Sequence, residues 1–366
     1  MIVNRVNFNE ILKKCFPVVE QKSGLYNANF DCFLFKDGFV HAYNNYMSIS
    51  VKLSDDFDID YMLINAKELK GIFDRMKGND IVLLYEDDTL IIKDGKMNVK
   101  LSGTVSDDNN YCIDGGVKEL KNVLKGVEWK AIPDNFFQAL NFSFISSSIV
   151  MESYKAGVNI SGCDVYSAAG NCMSWFKLNS EMDAFFITEN CIKNIMKIEG
   201  LKKYCVSEDW AHFSTDDGKI VFSSRLIDYK FPLVDCERVK NSHFKKGAFF
   251  NAFLPGNLEG ILDRALLFIE KYNDIFKVDL CFSSNGLTVS AKKNRGEFEE
   301  FVEWEGKMGS FEDFFVSVNL DLLKFGLREK LTFSFLKNGG GKEATFTNLN
   351  DRLFAFTFLR QKGVIK

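Results

Sequence analysis

Imidazoles, thiols and carboxylates are the groups from which an active site or a metal centre would be assembled, and here they are scattered. The chain has three histidines, His41, His212 and His243. None lies at metal-ligand spacing from another, so a structural role is expected for each. The nine cysteines are an odd number without a CxxC pair. That fits neither a disulfide framework nor a structural zinc site, and reads as reduced thiols of a cytosolic protein. The acidic run Asp55, Asp56, Asp58 and Asp60 lacks the glycine and distal glutamate of a calcium loop and is expected to be a solvated loop. Gly339-Gly340-Gly341-Lys342 sits at a hairpin tip with no helix after it, so a phosphate cradle is not expected. GxxxxGK[ST], HExxH and GxSxG are absent, as is GxGxxG before a helix. Nothing sets a nucleophile beside a base. The expectation is a protein that is not an enzyme and that uses no cofactor and no metal.

The residues that do recur in a chemical pattern are lysines on helices. In the segment from Ala66 to Lys77, Leu69, Ile72, Phe73 and Met76 follow the i, i+3, i+4, i+7 rule of a buried stripe. Lys67, Lys70 and Lys77 then fall on the opposite side. Lys193 and Lys197 oppose Ile192, Lys13 and Lys14 lie beyond the stripe of Phe8 and Ile11, and Lys324 and Arg328 do the same near the C-terminus. For any single helix this is a solvated charged face. Its recurrence in a chain of net charge -4 is the layout of a surface that neutralises phosphates, with acidic residues elsewhere. These polar faces carry few aromatics, which points to backbone contact without base stacking and so without sequence preference.

The elements that must position these lysines repeat. YMLINAKEL, AFFITENCI and FVSVNLDLL each run a strand into a helix; their Ile64, Ile187 and Val318 are 123 and 131 residues apart. A β-meander with turn signals follows each, as in DIVLLYEDDTLIIKDGKMNVKLSG, where Asp94-Gly95 supplies a tight turn. A second helix family interleaves with the first. It comprises Phe8 to Phe16, a helix opened by Pro133 carrying Phe137, Leu140 and Phe144, and one opened by Pro255 carrying Leu258, Ile261, Leu262 and Ala265. The unit is helix, meander, helix, meander, present three times within 366 residues, with boundaries expected at 1–128, 129–248 and 249–366. Each helix covers one face of a small sheet, so the class is α+β. On the Pro255 helix, Leu267 lies on the opposite side from Leu258, among Asp263, Arg264, Glu270 and Lys271 and beside Phe268. It is either a scattered exposed side chain or a contact with another surface.

Phe222 to Val239, FSSRLIDYKFPLVDCERV, resembles the segment S-[RK]-L-[IV]-D-G-x-F-P-D-Y-x-x-V of bacterial DNA sliding clamps, the β subunit of the replicative polymerase. Ser224, Arg225, Leu226, Ile227, Asp228, Phe231, Pro232 and Val239 match, Tyr229 replaces the usual glycine, and two extra residues precede Val239. The resemblance implies three clamp domains per chain, closed as a head-to-tail dimeric ring with helices lining the hole and sheets outside. It also implies a pocket that takes short peptides from the polymerase, the clamp loader and other proteins. The pocket's T-D-x-H-R-L strand end corresponds to Ala168, Ala169, Gly170, Asn171, Cys172 and Met173, so the Asp, His and Arg are missing. Tyr154 and Lys155 align with its Tyr-Leu pair, Pro232 and Val239 with its Pro and Val, and the chain end M-P-M-R-L appears as Thr357, Phe358, Leu359, Arg360 and Gln361. These departures imply a divergent clamp, such as one from a phage or mobile element, with an apolar partner motif of its own. In the family the position of Leu267 packs on an edge strand of the other subunit, which Val99 and Leu101 match, with Phe268 beside it.

The partners so implied are double-stranded DNA without sequence preference, the replicative DNA polymerase, a clamp loader and a second copy of the chain. No stretch approaches the roughly 18 uninterrupted apolar residues of a membrane span. The N-terminus carries charges through its apolar positions and has no small-residue cleavage site, so the expected location is the cytoplasm, at the replication fork. Two other classes share the pattern: a β-rich structural or virion protein that encircles no DNA, and an enzyme built from scattered carboxylates.

Overall fold

The computed structural model describes residues 1–19, 30–53, 57, 61–103, 124, 126–148, 157–169, 172–246, 250–269, 271–272, 275–293, 296–305, 313–335, 343–348, 351–357 and 360–362. In chain order, the first elements are β1 (Ile2–Asn4), α1 (Arg5–Cys15), β2 (Cys32–Lys36), β3 (Phe39–Tyr43), β4 (Met47–Lys52), β5 (Tyr61–Asn65) and α2 (Ala66–Arg75). Next come β6 (Asp80–Glu86), β7 (Thr89–Asp94), β8 (Met97–Ser102), β9 (Lys130–Ala131), α3 (Phe136–Ser148), β10 (Gly157–Ala169), β11 (Cys172–Thr188) and α4 (Glu189–Ile195). They are followed by β12 (Leu201–Val206), β13 (Trp210–Thr215), β14 (Ile220–Arg225), α5 (Leu233–Lys246), β15 (Phe250–Ala252), α6 (Leu258–Ala265), β16 (Lys271–Tyr272), β17 (Ile275–Phe282) and β18 (Gly286–Lys293). The last are β19 (Gly296–Glu303), β20 (Phe314–Asn319), α7 (Leu320–Arg328), β21 (Thr332–Phe335), β22 (Glu343–Asn348), β23 (Arg352–Thr357) and β24 (Arg360–Lys362).

The class is α+β, as expected, and six helices appear near their anticipated places, but α2 ends at Arg75 and α4 at Ile195, so Lys77 and Lys197 lie beyond the helices on whose faces they were expected. Three of the strand-to-helix joints close the same way. The side chains of Asn4, Asn65 and Asn319 end a strand and accept from the backbone N–H of Asn7, Glu68 and Asp321. An asparagine cap satisfies one of the N–H groups that a helix start leaves without a partner. Gly95 has positive φ at the expected Asp94-Gly95 turn, and Asp37, Gly38, Asp87 and Asp88 also adopt the positive φ that such hairpin turns use.

By contact, the chain divides into two compact units. One comprises Met1–Ile132 and Asn190–Asp228. It holds a four-stranded sheet, β1-β6-β7-β8, and an eight-stranded sheet, β5-β2-β3-β4-β14-β13-β12-β9. In the eight-stranded sheet, Ile49 of β4 stands opposite Phe222 of β14, so the second meander of one repeat continues the sheet of another. Phe8 of α1 packs against Phe73 of α2 at 4.8 Å and stacks on Phe35 of the sheet at 6.4 Å between centroids. Stacked aromatics of this kind supply much of a core's apolar burial.

The other unit comprises Pro133–Glu189 and Tyr229–Lys366. Its sheets are β10-β11-β23-β22-β21-β15 and β19-β18-β17-β20-β24, with β16 pairing β17. The first of these is covered on both faces. On one, Phe142 of α3 and Phe325 of α7 meet each other and cover Phe176 and Phe354. Gly326 lets α7 come this close, because a Cβ there would overlap the Phe346 ring. On the other face lies α5, a helix that the sequence analysis did not anticipate.

Candidate peptide groove, basic helix faces and sheet edges

Of the residues expected to bind a partner peptide, Ala168 and Met173 lie on the sheet face under α5, and Val239 lies on α5 itself. Pairing of β10 with β11 and of β11 with β23 puts Ala168, Met173 and Ala355 in one row and Tyr166, Trp175 and Leu353 in the next. These side chains join Cys236 of α5 in one apolar cluster, with Phe231, Leu233 and Val239 packed against it. The structure thus brings together Ala168, Met173 and Val239. Met173 is 7% exposed, so its surface is already covered. Pro232 is exposed at the start of α5, where its carbonyl accepts from the Cys236 N–H. Thr357 ends β23 and Arg360 opens β24. Tyr154, Lys155, Gly170, Asn171, Phe358 and Leu359 lie outside the described residues.

A polar network the sequence reading did not assign fastens α5 to this face. Asp164 accepts from Trp175 Nε1 at 2.6 Å through Oδ1 and from Lys240 Nζ at 3.0 Å through Oδ2. The Lys240 ammonium also stands 5.0 Å from the Trp175 ring centroid and 5.3 Å from that of Tyr166. A cation held over two aromatic faces beside a carboxylate is attracted by all three. Further along, His243 Nδ1 lies 3.2 Å from Thr345 Oγ1, and Phe244 meets Trp175 edge-on. Burial pushes the Cys236 thiol up to about 11, and desolvation holds His243 below the ordinary imidazole range. The signal for this helix was present: Leu233, Cys236, Val239 and His243 recur near helical spacing, after a proline and with Asp235 in the first turn.

Four of the nine cations expected to face DNA stand beside carboxylates. Lys13 pairs with Glu10, Lys70 with Asp74, Lys324 with Asp263 and Arg328 with Glu259. Lys70 also rests over the Phe16 ring, and Lys324 is largely covered. The two pairs on α7 reach α6, so in the last repeat the basic helix is matched by an acidic one. Lys67, Lys77, Lys193 and Lys197 are exposed, and Lys14 is half-buried.

Of the residues expected at a subunit interface, Val99 and Leu101 sit on an edge strand, and Leu267 and Phe268 lie in a turn. β8 ends its sheet, and its Val99 and Leu101 lie on the same face as the buried Ile92 and Leu90 while remaining half-exposed. Leu267 follows α6 in a 3-10 turn and is 74% exposed. Phe268 stacks on Phe298 of β19 at 5.8 Å, and β19 ends its own sheet. β8 exposes Lys100, whereas β19 exposes Glu297, Glu299 and Glu303. An edge strand presents unpaired N–H and C=O groups, so a free apolar edge invites another strand.

No family profile matches the chain, and no curated protein does. Solved structures match over nearly all of it. A putative DNA polymerase III β subunit from Eubacterium rectale superposes with a TM-score of 0.78 at 13% identity, over 98% of this chain and 99% of that one. The DNA polymerase III subunit β from Pseudomonas aeruginosa gives 0.75 at 17% identity with the same coverage. The Helicobacter pylori β clamp bound to a DNA ligase peptide gives 0.75 at 14%, again with that coverage. The chain therefore has the fold of the bacterial DNA polymerase III β sliding clamps, reached by a sequence that shares few residues with them.

Proposed function

We propose that this chain is a DNA sliding clamp, a processivity factor that catalyses no reaction. Two copies close head to tail around duplex DNA and tether the replicative polymerase. The observation that carries the reading is the match of fold along 98% of the chain. In this reading the chain is three clamp domains, 1–128, 129–248 and 249–366, and the helices α1, α2, α3, α4, α6 and α7 line the hole. Lys14, Lys67, Lys77, Lys193 and Lys197 then supply its positive charge. Lys13, Lys70, Lys324 and Arg328 contribute less, since a carboxylate beside each offsets its pull on phosphate. The clamp loader, the polymerase and other replication proteins dock through the face formed by Ala168, Met173, Pro232, Val239 and the chain end. The likeness to a clamp that binds a DNA ligase peptide supports this assignment. Such a protein works at the replication fork in the cytoplasm.

Ring closure follows from the edges. β8 of one copy lies against β19 of the other, with Leu267 seated on Val99 and Leu101 and Lys100 facing the glutamates of β19. Opposite charge on two edges fixes their register and disfavours pairing of either edge with itself.

The test is topological. After loading onto a circular duplex, the protein should persist on closed circles and be lost quickly once the circle is cut, because a ring slides off a free end. Equal retention on circular and linear DNA would refute encirclement.

A further inference from the structure

We infer that a cavity between the start of α6 and the end of α7 binds the C-terminal end of an apolar peptide, with Lys330 taking its carboxylate. The cavity has a volume of about 610 Å³. That lies within the roughly 300–1,000 Å³ of sites for drug-sized ligands. Its apolar wall is Leu254, Pro255, Leu327 and Leu331, with the Phe253 side chain 73% exposed beside them. None of these residues belongs to the groove under α5 or to the sheet edges.

The charges in the wall select the ligand. Glu259 accepts from Arg328 Nε at 3.0 Å, and Glu305 accepts from the Gly256 N–H at 2.8 Å. Lys330, which also lines the cavity, is exposed and enters no ion pair among the described residues. One carboxylate on a ligand matches it, whereas a phosphodiester chain would set further negative charge against Glu259 and Glu305. Each of those two carboxylates uses one oxygen in the bonds given, so the other can accept from a ligand N–H. A fatty acid carries no such donor. The last residues of an apolar peptide carry N–H groups, apolar side chains and one carboxylate together.

The backbone supplies an independent argument. Lys330 has a φ of 53° at the end of α7. Its N–H donates to the Leu327 carbonyl at 2.9 Å, and the Leu331 N–H donates to that of Gly326 at 3.2 Å. Glycine is the usual residue at such a left-handed helix end, because a Cβ makes the conformation costly. A lysine there gives up stability, and local strain of this kind collects at sites that bind.

The probes are N-acetyl-trileucine, its C-terminal amide and octanoate, each titrated against the full chain and followed by ligand-observed NMR. The peptide with its free carboxylate should bind. Its amide should bind about tenfold more weakly, the loss expected for one hydrogen bond between charged groups. Lys330→Gly should bind the free-acid peptide about tenfold more weakly while its urea midpoint rises, so that binding and stability move in opposite directions. Lys330→Arg keeps the charge and should bind as the unmutated protein does. No binding of the free-acid peptide by the unmutated protein overturns the site. Equal binding of acid and amide, or of Lys330→Gly and the unmutated protein, overturns the role of Lys330. Octanoate that binds as tightly as the peptide replaces the chain end with a free acid and overturns that assignment. A urea midpoint that falls in Lys330→Gly overturns the argument that this lysine is held against the preference of its backbone.

Discussion

At the scale of single residues, the three imidazoles show how much chemistry the spacing rules had settled. His41, His212 and His243 were expected to be structural, and each bonds to a hydroxyl: Ser50 at 2.7 Å, Ser223 at 2.8 Å and Thr345 at 3.2 Å. In His41 and His212 the partner is the cross-strand neighbour, which no spacing along the chain reveals. His212 is fully buried, and desolvation lowers its pKa to about 4. The imidazole therefore stays neutral in the native state, while the unfolded chain binds a proton below about pH 6.5. As pH falls from there to about 4, the unfolded state is favoured progressively, and the loss from this one group reaches about 3 kcal/mol. His243 adds to the loss in the same direction. The carboxylates held low by lysines, such as Asp74 and Asp263, act only at lower pH. Denaturant unfolding between pH 7 and pH 4.5 should show this fall, and His212→Gln should flatten it. A stability that is level across that window in the unmutated protein would contradict the burial of a neutral His212.

At the scale of elements, the legible features were those that repeat or obey a period. Six helices could be read from apolar stripes, and their starts from the strand-to-helix joints at Asn65 and Asn319. α5 was not read, although Leu233, Cys236, Val239 and His243 have nearly the right spacing, because Phe222 to Val239 was read as a motif of clamp likeness and not for its period. The network of Asp164, Trp175 and Lys240 was out of reach for a different reason: it joins strands and a helix up to 76 residues apart. The seat of α7 gives an element-level test. Replacing a helical glycine with alanine ordinarily stabilises by about 1 kcal/mol. Gly71→Ala in α2 should show part of this gain, since the nearest atom to the new Cβ is the movable end of Arg75. Gly326→Ala should instead destabilise by about 1–3 kcal/mol, because the new methyl overlaps the Phe346 ring in a packed core. Urea midpoints for the two variants that move in the same direction would show that α7 does not depend on this close approach.

At the scale of the whole molecule, a threefold pattern and one segment of likeness were enough to anticipate a fold that structures share at only 13–17% identity. What such a pattern conserves is the order of buried faces and turns, and many side chains satisfy it. The same reasoning makes the quaternary arrangement testable. Leu267 is 74% exposed in the single chain, next to Phe268 and the acidic edge β19, while Val99 and Leu101 are half-exposed on the basic edge β8. In a head-to-tail pair each apolar group covers the other, and the rotation that relates the copies makes the contact twice. In the proposed pair, Leu267→Asp places a charge against the apolar side chains of Val99 and Leu101, at a cost of about 1–3 kcal/mol or more at each contact. In the proposed ring both contacts must hold, so the penalty acts twice on one assembly. Analytical ultracentrifugation at micromolar concentration should find a dimer for the unmutated protein and a folded monomer for Leu267→Asp. A variant that stays dimeric would remove Leu267 from the interface. An unmutated protein that sediments as a monomer would rule out ring closure at that concentration, and a trimer would replace the twofold arrangement with a threefold one.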